Sequence, residues 1–270
     1  MTEITYTKLH GAENDFLLSW GDSISASGLA DADLPNVARQ ICARTTGVGG
    51  DGWMLVWREE GGLRTRLFNS DGSEAEISGN GTRCAAAFAL IHHCAAEPNV
   101  AITTAAGRKT LRLISGDGYR FLFEMDMGLP RMEELHAALH LAGRDWDASI
   151  LNVGNPQCAI FVRELPDDWR QVAAEAGGHA RFPKGANVSL VRVVSRHAVE
   201  AVFFERGAGE TRSSGTGSTG AAVAAILRGE TDSTVEIRTP AGLLGLRWDA
   251  SVYLTGPAEL IGEGKYFLPL

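Results

Sequence analysis

Short runs of alternating apolar and polar residues recur along the whole chain between glycine-containing turns, and they predict many short β-strands. Two segments break this pattern. Residues 82–95 and 218–228 are rich in alanine and other small apolar residues on nearly all faces, which is typical of a helix surrounded by other elements. Helical spacing also predicts shorter helices over 34–44 and 169–177. We therefore predict an α+β protein in which curved mixed sheets wrap around two central helices.

One long segment of the sequence occurs twice. Residues 68–86 and 204–222 lie 136 positions apart. Each copy passes from an apolar lead-in, through a turn that carries a glutamate, to Ser-Gly-x-Gly and an alanine-rich stretch. Two copies indicate a duplicated domain, since a solenoid needs at least three repeats.

The duplication predicts where the two pseudo-symmetric domains begin and end. Pro130 marks the junction between the halves, and we expect a second crossing at a turn formed by Gly256 and Pro257. With one Ser-Gly-x-Gly in each half, we expect Ser78 and Ser214 to face each other across a shared cleft. That arrangement suits chemistry on both faces of one carbon atom. The expected domains are 1–125, to which 258–270 returns, and 126–257.

Composition and charge exclude several classes of function. The formal net charge is −8 and no cluster of lysine and arginine exceeds two residues, so nucleic acid is not expected as a partner. The chain has no run of 18 apolar residues, and the residues after Met1 lack the apolar stretch of a signal peptide. We expect a cytoplasmic protein that does not span a membrane.

The cysteines predict no metal site. None of them forms a Cys-x-x-Cys pair, so neither a zinc site nor a redox dithiol is indicated. We expect reduced thiols, with Cys84 and Cys94 in the first alanine-rich helix and facing the core. The four cysteines are Cys42, Cys84, Cys94 and Cys158.

A Gly-x-Gly segment ahead of a helix favours anion binding. The first-turn N–H groups of a helix have no intrahelical partner, glycine lets a ligand approach closely, and the helix dipole adds positive charge. For a single copy the simpler interpretation is a strand-to-helix turn with Ser78 or Ser214 as the N-cap, but two copies favour a functional pocket. A dinucleotide site is not indicated, because Gly79-Asn80-Gly81 lacks the third glycine of G-x-G-x-x-G.

Four asparagines lie where strand-like runs meet turns. One such asparagine is explained by turn chemistry alone, but four of them beside two helix N-termini predict hydrogen bonds to an amino acid. Glu205 and Arg206 precede the second Ser-Gly-x-Gly and form either a surface ion pair or part of the pocket. The four asparagines are Asn14, Asn69, Asn155 and Asn187.

Several short blocks of sequence form a pattern that extends nearly from end to end of the chain. They are residues 10–16, 68–74, 78–84, 154–156, 181–183, 187–188, 205–211, 215–217 and 254–259. In this order the blocks resemble the sequence motifs of the diaminopimelate epimerase family. The resemblance implies an isomerase of lysine and cell-wall precursor biosynthesis, which interconverts LL- and meso-diaminopimelate at one α-carbon. It further implies an enzyme that uses neither pyridoxal phosphate nor any other cofactor, a small-molecule amino acid as the only partner besides a second copy, and a cytoplasmic homodimer.

The resemblance also implies a substrate site, position by position. The backbone at Gly79–Asn80 and Gly215–Thr216 would hold the reacting carboxylate. The catalytic positions are Ser78 and Ser214, and the positions that modulate them are Glu205 and Gln157. The residues that would hold the distal amino-acid end of the substrate are Asn14, Asn69, Asn155, Asn187, Glu205 and Arg206.

The sequence departs from the family at its catalytic positions. The family uses two cysteines, one thiolate that removes the α-proton and one thiol that delivers a proton to the opposite face, whereas Ser78 and Ser214 stand here. A thiol with a pKa of about 8.5 can act as a base at a helix N-terminus, but a serine hydroxyl without a partner base is a poor proton acceptor. The family histidine after Asn-Pro is Gln157 in this chain. We expect the chain to be nearly inactive as an epimerase.

Two explanations account for the serines. Either both cysteines were exchanged deliberately, which traps substrate in an otherwise intact site, or the chain is a natural paralogue whose chemistry needs no thiol. Gln157 favours the paralogue, since trapping substrate does not require that change. Such a paralogue is either a non-catalytic amino-acid-binding protein or an isomerase or dehydratase of another amino acid.

Overall fold

The computed structural model describes residues 2–95 and 98–268. Many strands, paired both parallel and antiparallel, are combined with few helices, which confirms the predicted α+β class. The chain divides into two compact units, residues 2–125 with 256–268 and residues 126–255.

The first unit opens with a hairpin of β1 (Thr2–Gly11) and β2 (Asn14–Trp20). Strand β8, the last one before the chain enters the second unit, has its final residues in that unit. The elements after the hairpin are α1 (Gly21–Ala26), a 3-10 turn (Asp31–Asp33), α2 (Leu34–Cys42), β3 (Gly52–Glu59), β4 (Gly62–Asn69), β5 (Glu74–Ala75), α3 (Gly79–Ile91), β6 (Asn99–Thr104), β7 (Gly107–Gly116) and β8 (Arg120–Gly128).

The second unit contains ten further elements and the start of the last strand of the chain. That strand, β17 (Val252–Leu268), begins in the second unit and ends in the first. The elements before it are β9 (Arg131–Leu141), β10 (Arg144–Asn152), β11 (Pro156–Phe161), α4 (Trp169–Gly177), β12 (Asn187–Ser195), β13 (Ala198–Glu205), β14 (Gly209–Thr211), α5 (Gly215–Leu227), β15 (Thr234–Thr239) and β16 (Gly242–Trp248).

Strand pairing in the second unit repeats that in the first. In the first unit β2–β3 and β4–β6 are parallel, whereas β3–β4 and β4–β5 are antiparallel. In the second unit β11–β12 and β13–β15 are parallel, whereas β12–β13 and β13–β14 are antiparallel. In both units the alanine-rich helix follows the short strand. Both Ser-Gly-x-Gly segments therefore have the same local setting within their own unit.

The two alanine-rich helices are buried almost throughout. Every residue of α3 from Gly79 to Ala89 is buried, and so is nearly every residue of α5 up to Ala225. A helix that is apolar on all faces is stable where other elements cover all of them. The small alanine side chains let the surrounding strands approach closely.

Shorter helices pack on the opposite face of the strands. In the first unit Phe16 and Met54 face Gly81 of α3, whereas their chain neighbours Leu17 and Trp53 point to the other face of the strands and pack with α2. In the second unit α4 packs with Val188 and other apolar residues of β11 and β12. The strands of each unit thus lie between a central and an outer helix, which explains their nearly continuous apolar character.

The predicted starts of the central helices are wrong by three residues. Helices α3 and α5 begin at Gly79 and Gly215, because the preceding serines act as N-caps and Gly-x-Gly forms the first helical turn. The first of them ends at Ile91, so the prediction that Cys94 lies in this helix and faces the core is also wrong. Cys94 is half-buried beyond the helix, where His93 has a left-handed backbone conformation.

The predicted turn at Gly256 and Pro257 is wrong as well, since both residues lie inside β17. Thr255 is the last residue paired with β16, and Glu259 is the first one paired with β1. Pro257 falls between these two ladders, so its missing N–H removes no hydrogen bond from either.

Two features that would indicate other functions are absent from residues 2–95 and 98–268. No helix there combines the length and apolar character needed to cross a bilayer. Nor do these residues bring three histidine, cysteine or acidic side chains together as a metal site. Cys84 is buried as predicted, and burial raises the pKa of its thiol to about 12.

Candidate active site

Ser78 caps the N-terminus of α3. Its Oγ accepts a hydrogen bond from the Gly81 N–H at 3.1 Å, and its carbonyl accepts one from the Thr82 N–H at 2.8 Å. The N–H groups of Gly79 and Asn80 precede these in the first turn and have no intrahelical acceptor. Because the helix dipole adds positive charge at this end, the two N–H groups can receive an anionic ligand group.

A buried arginine holds the side chain of Asn80. Arg83 is fully buried, and its guanidinium donates to Asn80 Oδ1 at 2.6 Å, to the Pro257 carbonyl at 2.9 Å and to the Gly79 carbonyl at 3.4 Å. Burial lowers the pKa of Arg83 to about 10, so it remains charged at neutral pH. Asn80 Nδ2 donates in turn to Asn14 Oδ1 at 3.3 Å. This chain of bonds fixes both asparagines beside the helix N-terminus.

An ionic cluster supports Asn14 from its other side. Asn14 Nδ2 donates to Asp51 Oδ2 at 2.6 Å, and Arg44 bridges Asp51 at 2.8 Å and Asp15 at 2.7 Å. Lys8 Nζ lies 3.1 Å from Asp15. Burial alone would raise the pKa of the Asp15 carboxyl, but the hydrogen bonds and charges of Arg44 and Lys8 outweigh it and hold that pKa below its ordinary value. A network of charged side chains therefore fixes the position of Asn14.

Asn69 is not joined to this group. Its Nδ2 donates to Ser73 Oγ at 3.0 Å and its backbone N–H donates to the Ser73 carbonyl at 2.8 Å. These bonds close the turn between β4 and β5, as expected of an asparagine in a turn. Within the described ranges, no hydrogen bond links Asn69 to Ser78, Asn80 or Asn14.

Ser214 caps α5 in the same way, with one addition. Its Oγ accepts a hydrogen bond from the Gly217 N–H at 3.0 Å, and the N–H groups of Gly215 and Thr216 have no intrahelical acceptor. In addition, the Ser214 hydroxyl donates to Glu205 Oε1 at 2.5 Å. This hydroxyl therefore accepts one hydrogen bond and donates another, whereas the Ser78 hydroxyl has only the capping bond among the described contacts.

Glu205 ends β13 and is partly buried. Burial raises the pKa of its carboxyl above the ordinary value, and the hydrogen bond from Ser214 acts in the opposite direction. The described residues contain no ion pair between Glu205 and Arg206, whose Nη1 donates to the Lys184 carbonyl at 3.1 Å. The predicted alternative of a surface ion pair between Glu205 and Arg206 is therefore wrong. Glu205 instead accepts a hydrogen bond from Ser214 at the N-terminus of α5.

Gln157 and Asn155 form a second amide pair beside α5. Gln157 is fully buried, and its Nε2 donates to Asn155 Oδ1 at 2.6 Å, while Asn155 Nδ2 donates to Thr216 Oγ1 at 3.3 Å. The Gln157 side chain packs so closely on Gly220 that a Cβ there would lie 3.1 Å from it. Gln157 Oε1 is buried without a hydrogen-bond donor. Such an acceptor is uncommon in a folded protein, because it loses its hydrogen bonds to water without gaining a partner.

Asn187 holds the backbone that follows Glu205. It opens β12 in register with Gln157, and its Oδ1 accepts a hydrogen bond from the Arg206 N–H at 2.9 Å. The aliphatic part of the Arg206 side chain lies against Gly185, whose positive φ of 74° favours glycine. Asn187 thus positions the turn on which Glu205 and Arg206 lie.

The structure brings most of the predicted residues together in two groups, each within one unit. Two supporting residues were missed, Arg83 and Asp51. A single arginine in an otherwise apolar helix was the available signal for Arg83, since a buried guanidinium needs polar partners. The first group is Asn14, Ser78, Gly79 and Asn80, and the second is Asn155, Gln157, Asn187, Glu205, Arg206, Ser214, Gly215 and Thr216.

Each group can hold a carboxylate on first-turn N–H groups next to a serine hydroxyl. Negative charge that develops on a carboxylate is stabilised there by the helix dipole and by fixed N–H donors. Only the second group also has a carboxylate that contacts its serine, Glu205. The described residues of neither group include a set of metal ligands.

Known proteins match the chain over nearly its whole length. The family model described as diaminopimelate epimerase matches residues 6–133 and 149–261. The diaminopimelate epimerase of Nostoc punctiforme is 37% identical over 284 residues, which cover 97% of this chain and 99% of that protein. The diaminopimelate epimerase of Moorella thermoacetica is 35% identical over 278 residues, with 97% and 98% covered.

Solved structures share the fold at low sequence identity. A hydroxyproline epimerase from Agrobacterium vitis, with bound trans-4-hydroxy-L-proline, has a TM-score of 0.72 at 16% identity and covers 98% of this chain and 92% of its own. A Bacillus anthracis protein of the phenazine biosynthesis PhzF family has a TM-score of 0.73 at 15% identity, with 99% and 100% covered. These two show the fold alone. Together with the family model and the relatives above, the two serine-capped helices and their supporting residues show that the chain belongs to the diaminopimelate epimerase family.

Proposed function

We propose that this chain binds diaminopimelate and that its Ser78 and Ser214 stand at the two positions from which protons move to and from the α-carbon. The observation that supports this most directly is that both helix N-termini are capped alike. Each leaves two first-turn N–H groups, those of Gly79–Asn80 and Gly215–Thr216, for the reacting carboxylate. The family match over both units supports the same assignment.

The reaction needs a held carboxylate because of where charge develops. When the α-proton leaves, its electron pair is delocalised into the neighbouring carboxylate. N–H donors that already point at this group stabilise the added charge without reorganising. No group outside the chain is required for this part of the chemistry.

The distal amino-acid end of diaminopimelate carries a carboxylate and an ammonium group. The Arg206 guanidinium can pair with that carboxylate, and amide oxygens can accept from the ammonium group. The asparagines proposed to complete the set are Asn14, Asn69, Asn155 and Asn187.

We propose further that the serines slow epimerisation strongly. A matched general acid or base contributes about 100- to 10,000-fold in rate, and a hydroxyl is a much weaker proton acceptor than a thiolate at neutral pH. The losses at Ser78 and Ser214 need not multiply, since residues that act as a unit are not additive.

The second candidate function is a non-catalytic amino-acid-binding protein. The observation in its favour is that serines stand at both catalytic positions, while the asparagines and Arg206 of the implied substrate site are retained. It predicts that diaminopimelate binds while no solvent deuterium enters the α-carbon.

We propose a cytosolic homodimer as the working form. The resemblance to the family supports the dimer, and buried free thiols such as Cys42 and Cys158 support a reducing compartment. Light scattering of the purified full chain tests the dimer, which a monomeric mass would contradict.

Titration calorimetry tests the ligand. We expect LL- or meso-diaminopimelate to bind, with lysine and proline at least about tenfold weaker, which corresponds to about 1.4 kcal/mol. Arg206→Met should weaken binding, whereas Arg192→Met, which removes an arginine paired with Glu200 on a neighbouring strand, should not. Tight binding of another amino acid with none of diaminopimelate contradicts the proposal.

A further inference from the structure

We propose that the second unit binds a small carboxylate with an apolar body, in a cavity that is lined by none of the residues grouped around Ser214. The cavity has a volume of about 340 Å³ and lies on the face of β12 and β13 against which α4 packs. Ligand cavities in proteins span about 300–1,000 Å³ and are mostly apolar, with a few polar groups that orient the ligand. This inference goes beyond the proposed function and does not depend on it.

Apolar side chains make up most of the cavity lining. Leu190 of β12 and Val202 of β13 are paired across the two strands and both line it. Val162 and Leu165, in the segment between β11 and α4, line it as well, and so does Pro240, which follows β15. Leu165 is 46% exposed. An apolar ligand body in this cavity would therefore remove a large aliphatic side chain from water, which favours binding.

Strand register relates the cavity to a position in the first unit. The parallel ladders β2–β3 and β11–β12 both contain five residue pairs, and their last pairs include Val56 of β3 and Val191 of β12. The residues that follow, Trp57 and Arg192, therefore lie at corresponding positions. Arg192 lines the cavity, so the surroundings of Trp57 show what the first unit has in the same place.

In the first unit this place is filled by α1. Trp57 packs so closely on Gly21, the first residue of α1, that a Cβ at Gly21 would lie 2.0 Å from the Trp57 ring. Ile24 of the same helix is buried in the cluster that contains α2. The connection between β2 and α2 has thirteen residues, 21–33, whereas that between β11 and α4 has seven, 162–168, all of which are described and none of which is helical. The shorter connection leaves the cavity open.

The floor of the cavity is also more apolar than its counterpart. The antiparallel ladders of the two units place Arg66 of β4 where Val202 lies on β13. Arg66 binds Asp31 at 2.6 Å, and Asp31 belongs to the longer connection of the first unit. In the second unit an apolar side chain thus stands at the uncovered position. An apolar surface in a concave, solvent-accessible place is typical of a ligand site.

Two arginines and one glutamate line the cavity, and these three charges favour an anionic ligand group. Arg192 Nε and Nη2 both donate to Glu200 Oε2, at 3.0 and 2.5 Å, so these two charges offset each other. Within the described residues Arg238 donates only through Nε, to Glu236 Oε1 at 2.8 Å. Such exposed pairs are weak, and the Nη groups of a guanidinium match the two oxygens of a carboxylate. Arg238 is therefore the expected contact of the ligand carboxylate.

Titration calorimetry of the full chain with octanoate, octanol and octylamine tests the charge preference, because the three probes share one apolar body. We expect octanoate to bind at least about tenfold more tightly than octylamine. Arg238→Met should weaken octanoate binding about tenfold, through loss of a charge-assisted hydrogen bond, and leave octanol within about twofold. Arg196→Met, the matched control, removes an arginine from an exposed ion pair with Asp232 in the same unit and should leave octanoate within about twofold.

Leu165→Ser tests the apolar wall. It should weaken octanoate and octanol alike, by about three- to tenfold, because an aliphatic side chain no longer covers the ligand body. Ile114→Ser is the matched control in the first unit, where Ile114 is 42% exposed, and it should change neither affinity. Both positions are exposed, so neither change removes a core residue.

Three results would overturn the inference. The first is octanoate binding that is absent or no tighter than that of octylamine. The second is an octanoate affinity that either Arg238→Met or Leu165→Ser leaves unchanged. The third is loss of octanoate binding in Arg206→Met, since Arg206 belongs to the proposed substrate site. None of these results decides whether diaminopimelate binds, which is measured separately on the unmodified chain.

Discussion

Gln157 donates a hydrogen bond of 2.6 Å to Asn155, two residues before it, and so directs the other end of that amide toward Thr216 in the first turn of α5. The glutamine acts from a fully buried position, packed against Gly220. The residue that stands where the resemblance implies a histidine therefore positions a polar group at the helix N-terminus. The Oε1 atom of Gln157 remains a buried acceptor without a hydrogen-bond donor.

Gln157→Leu removes both the hydrogen bond to Asn155 and the buried Oε1 acceptor, and the leucine side chain has a volume similar to that of glutamine. We expect diaminopimelate affinity to fall about tenfold, because Asn155 is no longer held beside Thr216 at the helix N-terminus. The free energy of unfolding should change by less than about 1 kcal/mol, since the lost bond is offset by removal of a desolvated acceptor. Calorimetry and urea unfolding measure the two effects, with Gln171→Leu on the exposed face of α4 as control. Unchanged affinity contradicts the assigned role.

The two N-cap serines should differ in their contribution to stability. Ser78→Ala removes one capping bond and should lower the free energy of unfolding by about 0.5–2 kcal/mol. Ser214→Ala removes the same bond and also a donor to the partly buried Glu205 carboxylate, so its loss should be larger at neutral pH. Urea unfolding of both variants measures the difference. Equal losses would show that the Glu205 contact does not contribute to stability.

Stability should depend on pH through Glu205. Its pKa in the folded chain is raised above the unfolded value, mainly by burial. The folded state then holds the proton more tightly, so this stabilisation is fully present below the unfolded pKa and is lost as pH rises through the folded pKa. Glu205→Gln cannot titrate. Relative to this variant, the free energy of unfolding of the unmodified chain should fall as pH rises from the unfolded pKa of Glu205 through its folded pKa. Urea unfolding measures this, and a difference between the two proteins that does not change with pH would contradict the raised pKa.

Arg83 should matter more for stability than any exposed arginine. Arg83→Met leaves Asn80 Oδ1 and two carbonyls buried without their donor. We expect a loss of about 3 kcal/mol or more, at about 1–3 kcal/mol for each of the three unsatisfied groups. Arg64→Met, on an exposed residue stacked over Trp57, should change the free energy of unfolding by less than about 1 kcal/mol. Similar losses in the two variants would contradict the role of the buried network.

The main features of the fold and site could be predicted from local pattern. The repeat and the alanine-rich segments predicted the α+β class and the two central helices, because such helices must be covered on all faces. The N-caps at Ser78 and Ser214 were also predictable from the local sequence, because serine is a preferred N-cap residue where a helix begins.

Contacts between residues far apart in the sequence could not be predicted in this way. Arg83 reaches the carbonyl of Pro257, 174 residues away, and no local periodicity encodes such a contact. Glu205 lies next to Arg206 in the chain, which suggested an ion pair, but strand geometry and burial direct its carboxylate to Ser214 instead. The continuous strand through Pro257 was missed because the missing N–H matters only where a ladder needs it.

The most direct test of the proposed function compares the unmodified chain with the double variant Ser78→Cys, Ser214→Cys in D₂O with LL-diaminopimelate. In the proposed site, serines stand where the family uses thiols, and Gln157 stands in place of its histidine. We expect the double variant to interconvert LL- and meso-diaminopimelate with deuterium entering the α-carbon, whereas the unmodified chain should not interconvert them. Rapid interconversion by the unmodified chain, or none by a double variant that binds the substrate, would contradict the proposed function.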